Sequence, residues 1–162
     1  MKRIPHRHFV FSIPKILRRY FLYYRSLLWE LSRCGWESLR MFFQETVPQR
    51  AAVPEAVIAT QTFGNSLGFH PHCHVLCTDG CFYGKGVFRL APRFDPKDLR
   101  AIFEHPVLRM LLSKGKITQD LISLLRWLRF RFKIQMRHRR FSLGKGVGAD
   151  PASSCLSFGQ RH

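Results

Sequence analysis

Acidic side chains are scarce in this chain. Its 162 residues hold 10 Asp and Glu against 27 Lys and Arg, a formal net charge of +17 at pH 7. That imbalance excludes an acidic protein with cationic ligands and points to a polyanion, of which nucleic acid is the commonest. Long apolar runs are also missing: nothing approaches the roughly 18 residues that a spanning helix needs. The N-terminal stretch is broken by His6, Arg7, His8 and Pro14, so it is not read as a signal peptide. The five cysteines are then expected to be reduced thiols of a cytoplasmic protein, not a disulfide frame. No Cys-x-x-Cys pair occurs, which argues against a zinc knuckle. Tyrosine is limited to Tyr20, Tyr23, Tyr24 and Tyr83.

Apolar residues are plentiful, at 46%, with 14% aromatic, which suffices for one packed domain and excludes a wholly disordered chain. The charge is unevenly spread. Residues 1–125 carry 18 basic and 9 acidic side chains, a net of +9, whereas residues 126–162 carry 9 basic ones against Asp150 alone, a net of +8. We therefore expect a globular domain over residues 1–124 and an arginine-rich tail over 125–162. Its last twenty residues, small and turn-prone, are expected to be disordered.

Along the chain, His8-Phe9-Val10-Phe11-Ser12-Ile13 reads as a strand stopped by Pro14. From Lys15 the period changes to three and four through Leu17, Phe21, Leu28, Leu31, Leu39 and Phe43, an amphipathic helix bent at Gly35. Ala56 to Phe63 and His72 to Thr78 read as strands. Phe82-Tyr83 and Val87 to Leu90 form a hairpin around Gly84-Lys85-Gly86. Pro96 to Leu112 and Ile117 to Leu128 read as helices. Strand, helix, three strands and then helices is the order of an α+β fold: an antiparallel sheet with helices packed on one side.

One cluster carries chemistry. In Phe69-His70-Pro71-His72-Cys73-His74-Val75 the histidines alternate, and on a strand residues two apart share a face. His72 and His74 can therefore bind one divalent ion together, while Cys73 and Cys77 fall on the opposite face and pack inward. Against this stands a histidine-rich strand that merely hydrogen-bonds or faces solvent. The expected nucleic-acid contacts are Arg18 and Arg19 on the first helix, and Arg126, Arg129, Arg131 and Lys133, which are interleaved with Trp127, Phe130 and Phe132. Gly84-Lys85-Gly86 lacks the rest of a phosphate-loop pattern and is read as a turn.

Three segments, Pro5 to Lys15, Ile58 to Gly64 and His70 to Gly80, resemble in order the motifs of one family. It is the bacterial rolling-circle insertion-sequence transposases, the two-tyrosine branch of the HUH single-strand endonucleases. Here the signature histidine-hydrophobic-histidine is His72-Cys73-His74. The resemblance implies an RRM- or ferredoxin-like core with the histidines on a central strand. It also implies a divalent metal ion (Mg or Mn) held by His72 and His74, with His70 or Gln61 as third ligand. In that family the ion polarises a phosphate of single-stranded DNA, and tyrosines well downstream of the histidines attack it. The implied partners are single-stranded or hairpin element ends and an intact transposase copy. The chain departs from the pattern on both sides: no cysteine-rich module precedes the first motif, and no tyrosine follows Tyr83. The expectation is thus a transposase or transposase remnant, truncated at both ends, with a frameshifted or disordered tail and no catalytic residue of its own. The rival expectation is a non-catalytic basic nucleic-acid-binding module with structural histidines.

Overall fold

The computed structural model of the protein describes residues 4–48, 51–64, 68–138 and 155–156. Aromatic and aliphatic residues alternate with polar ones over His6–Ser12, and this stretch forms strand β1, which stops before Pro14. A 3-10 turn at Lys15–Leu17 leads into the short helix α1, Arg18–Tyr23. Helix α2, Leu27–Thr46, buries Leu31, Leu39, Phe42 and Phe43 along its inner side. Strands β2 (Ala56–Phe63) and β3 (Phe69–Thr78) follow, then the hairpin of β4 (Gly80–Tyr83) and β5 (Val87–Leu90). Helices α3 (Pro96–Ser113) and α4 (Gln119–Trp127) each start on a side-chain cap: the Lys97 N–H donates to Asp95 and the Leu121 N–H to Thr118. Strands β6 (Lys133–His138) and β7 (Cys155–Leu156) end the described chain.

The main sheet runs β2-β3-β1-β6, with every neighbouring pair antiparallel. Apart from the β4–β5 hairpin, the chain order is strand, helix, two strands, helices, strand: the split β-α-β arrangement of ferredoxin-like domains. The α+β fold is as expected. β7 pairs with β5 in a second, three-stranded sheet.

Both long helices cover the same side of the main sheet. Phe11 and Cys73 are direct cross-strand partners; Phe11 packs edge-on against Phe103 of α3, with centroids 4.8 Å apart, and Cys73 lies against Ser32 of α2. Phe9, Phe11, Cys73, Val75 and Cys77 are fully buried there. The parity argument for Cys73 and Cys77 therefore holds. Removing this face from water is what fixes the register, because a one-residue slip would put the histidines into the core.

Two details differ from the sequence reading. The first helix does not bend at Gly35, which sits within unbroken α2; it breaks at Tyr24, whose backbone leaves the helical region at φ −120°, ψ 81°. The stretch assigned to an arginine-rich tail also contributes to the domain over 125–138. It supplies the end of α4 and the edge strand β6, paired in register with β1. The basic residues of β6 alternate with Ile134 and Met136, which pack on the core, so composition alone hid a half-buried strand. The last twenty residues, apart from Cys155–Leu156, lie outside the described residues. Among the described residues no helix is long and apolar enough to cross a membrane.

Candidate functional site

In antiparallel strands, directly opposed residues share a face. The register therefore lays out three rows across the open side of the sheet. Lys133, Ser12, His72 and Gln61 form one row; Gln135, Val10, His74 and Ala59 the next; Arg137, His8, Leu76 and Val57 the third. The side without helices thus carries histidines at its centre and two cations along the β6 edge.

Hydrogen bonds orient the rings. His72 Nδ1 lies 2.6 Å from the carbonyl oxygen of His70. A carbonyl only accepts, so Nδ1 donates and the neutral ring carries its lone pair on Nε2. His74 has partners on both sides: its Nε2 is 3.1 Å from Gln61 Oε1, and its Nδ1 is 3.0 Å from His8 Nε2. The His72 and His74 rings lie edge to face, with centroids 4.9 Å apart. His70 continues the row at 5.0 Å from His72, and its buried Nε2 makes no hydrogen bond.

Electrostatics favour uncharged rings. Burial, then the nearby charges of Arg18, His72 and Lys133, hold His70 below the ordinary histidine pKa. His74 is lowered by burial, then by His72 and His8. Neutral imidazoles with available lone pairs are what an ion needs. The donor set of two imidazoles and an amide oxygen suits Mn, or Mg completed by water and phosphate oxygens. Among the described residues no three His, Cys, Asp or Glu side chains gather into a ready cage. Gln61 Oε1 meets His74 Nε2, and the three histidines of β3 do not close on one point.

The expected nucleic-acid contacts divide. Lys133 stands in the same row as His72, and Arg18 is close enough to His70 to perturb it; burial lowers the Arg18 pKa, and its Nε is buried without a hydrogen bond. Arg19 turns onto Tyr20, its guanidinium 5.0 Å from the ring centroid. Arg126 and Arg129 are exposed around the end of α4, and Arg131 precedes β6; none belongs to the three rows. One contributor, His8, was not identified from sequence; it reaches the open face through the β1 pairings, which also set Arg137 there, and sequence spacing carries no signal of that register.

Residues 56–121 match the model of a family described as "Putative transposase". The match spans β2 to α3 and the first turn of α4, so it includes His70, His72, His74 and Gln61, and it supports a transposase-like role for this domain. No curated protein and no solved structure matches the chain.

Proposed function

We propose that the domain is a transposase module of the two-tyrosine HUH type that binds single-stranded or hairpin DNA on the open face of the main sheet. It holds a divalent Mg or Mn ion at His72 and His74, with Gln61 as third ligand. The observation that carries this reading is the orientation of His72, whose Nδ1–H is committed to a backbone carbonyl so that Nε2 keeps its lone pair, in a ring 4.9 Å from that of His74, whose own Nε2 meets Gln61 Oε1. Locking one ring nitrogen to leave the other for a metal is the usual arrangement at metal-bound histidines. When bound, the ion would polarise a scissile phosphate. The chain's own residues hold the DNA: Lys133 and Arg137 along the edge, and Arg18 beside His70, neutralise backbone phosphates, and the flat open face accepts unpaired bases.

We place the attacking hydroxyl on an intact transposase copy acting on the same DNA end in the cytoplasm. The test is incubation of a labelled hairpin oligonucleotide with Mn²⁺ or Mg²⁺, read on a denaturing gel that retains covalent adducts. We expect no adduct from the chain alone and Mn²⁺ binding that is lost in the His72→Ala, His74→Ala double variant, with DNA affinity nearly unchanged. An adduct with the chain alone that His72→Ala abolishes would show a complete endonuclease. Unchanged Mn²⁺ binding in the folded double variant would sink the ion site.

A second reading has one observation in its favour: His8, His74 and Gln61 are linked in one hydrogen-bonded chain. In that case the histidines are structural, and the module binds nucleic acid through its cations alone. It predicts no Mn²⁺ binding at these side chains.

A further inference from the structure

Strand β6 ends the order of the main sheet, and a cavity of about 290 Å³ lies between it and the first turns of α3. Lys133, on the open side of the sheet, lines this cavity together with Phe132 and Ile134, which belong to the core. Side chains of opposite parity leave opposite faces of a strand, so a cavity that both line follows the strand's outer edge.

Its charge is of one sign. Lys97 and Arg100, three apart on α3, share a helix face on one wall, and Arg131 and Lys133 stand two apart at the start of β6 on the other. No carboxylate is among the described residues that line it. Asp95, which caps α3, is already committed: it accepts from the Lys97 N–H at 2.9 Å and pairs with the Lys97 ammonium at 3.3 Å. Arg100, Arg131 and Lys133 make no ion pair among the described residues. Cations on facing walls repel one another unless an anion lies between them. The buried Phe132 and half-buried Ile134 give the groove an apolar floor, which strengthens a charged contact made above it. The volume is at the small end for a ligand site, and it suits a phosphodiester with its sugar, not a duplex.

We propose that this groove is a second phosphate subsite. A single DNA strand leaves the histidine rows at Lys133, rounds the β6 edge and lays a flanking phosphodiester between Arg131 and Arg100, with Lys97 beside it. Lys133 joins the two places, since it stands in the row of His72 and also lines the groove. A planar guanidinium on each wall matches the two non-bridging oxygens of a phosphodiester. The inference rests on reading the open face as the single-strand track, and it adds where the strand goes next.

Fluorescence anisotropy of the full chain with a labelled single-stranded oligonucleotide, across a salt series, tests it. Each cation that meets a phosphate contributes about 0.7 to the slope of log affinity against log salt, so Lys97→Ala, Arg100→Ala should lower the slope by about 1.4. Mn²⁺ binding should stay as it is. Arg40→Ala, Arg109→Ala removes two exposed cations of α2 and α3 outside the groove, and should change the slope little. Equal drops for these two pairs would mean that only net charge matters, and would overturn the subsite. No drop from the Lys97, Arg100 pair, with a drop from Lys133→Ala, Arg137→Ala, would overturn the subsite and leave the open face standing. No drop from either would overturn both. In the unmodified chain, the side-chain ¹H–¹⁵N resonance of Arg100 should shift as the oligonucleotide is added. A resonance that stays fixed at saturation overturns the subsite, even where the paired variant fails to fold.

Discussion

Arg7 is 3% exposed, and the fold satisfies its charge from several directions. Its Nε pairs with Asp79 at the turn after β3, its guanidinium lies 4.6 Å from the Phe94 ring centroid, and it donates to Met136 Sδ. This residue lies one step from His8 on β1, and strand alternation sends the two to opposite sides of the sheet. Removing one partner of such a pair leaves a buried charge unmatched, at a cost of about 3–5 kcal/mol. Asp79→Ala should therefore lower the stability measured by urea unfolding by that amount, whereas Asp95→Ala, which removes an exposed helix cap, should cost clearly less. Similar losses for both would mean that Arg7 is not held by Asp79. Residue-scale chemistry was legible where parity alone decided it. Cys73 and Cys77 were expected inside and are inside, with the Cys77 thiol pushed up to about 12 chiefly by burial. It was not legible where it depended on pairing: Asp79 reads as a turn residue in sequence, and nothing in its neighbourhood announces an arginine more than seventy positions away.

Strand β6 carries the lesson at the scale of elements. Arginine-rich, acid-poor sequence resembles a tail because the signal of an edge strand is spread over alternate positions and diluted by charge. Its inward residues Ile134 and Met136 complete the β1 side of the core, and its outward residues Lys133, Gln135 and Arg137 extend the histidine rows. The helix break at Tyr24 was missed for a related reason. The apolar period runs on from Leu17 through Leu31 without a proline or glycine to mark the stop, and tertiary packing sets the boundary. If the open face binds single-stranded DNA, each β6 cation that meets a phosphate releases counterion, worth about 0.7 in the slope of log affinity against log salt. Lys133→Ala, Arg137→Ala should reduce that slope by about 1.4 while leaving Mn²⁺ binding in place. The paired change Arg126→Ala, Arg129→Ala, outside the rows, should alter the slope less. Fluorescence anisotropy with a labelled oligonucleotide across a salt series measures both, and the reverse ranking would move the DNA track off the sheet.

At the scale of the whole molecule, the sequence made the architecture accessible because strands and helices alternate in the order of a split β-α-β domain. The site was accessible because three histidines fall on one strand face. Their setting among neighbours was not accessible, and it has a consequence for acid stability. The folded state lowers the pKa of His70 and of His74 below the ordinary value near 6.5. Above that ordinary value both rings are neutral whether the chain is folded or not, and they contribute no pH dependence. As pH falls below it, the unfolded chain takes up protons that the folded chain refuses, so the unfolded state gains relative stability. The loss continues until the lowered folded values are passed. It comes before any carboxylate effect: the Asp95 pKa is lowered, first by the backbone hydrogen bond from Lys97, and its stabilisation is lost only as the pH drops through the ordinary aspartate range near 4. The chain begins at +17 with eight histidines, so each proton added also raises self-repulsion. Thermal melts should therefore show a first decline in Tm between about pH 7 and pH 5.5, before the carboxylates respond. A His70→Gln, His74→Gln variant should flatten that first decline while keeping the later one. A Tm constant from pH 7 to 5.5 would mean that the imidazoles protonate without resistance, and that the open face is far better hydrated than its hydrogen-bond geometry indicates.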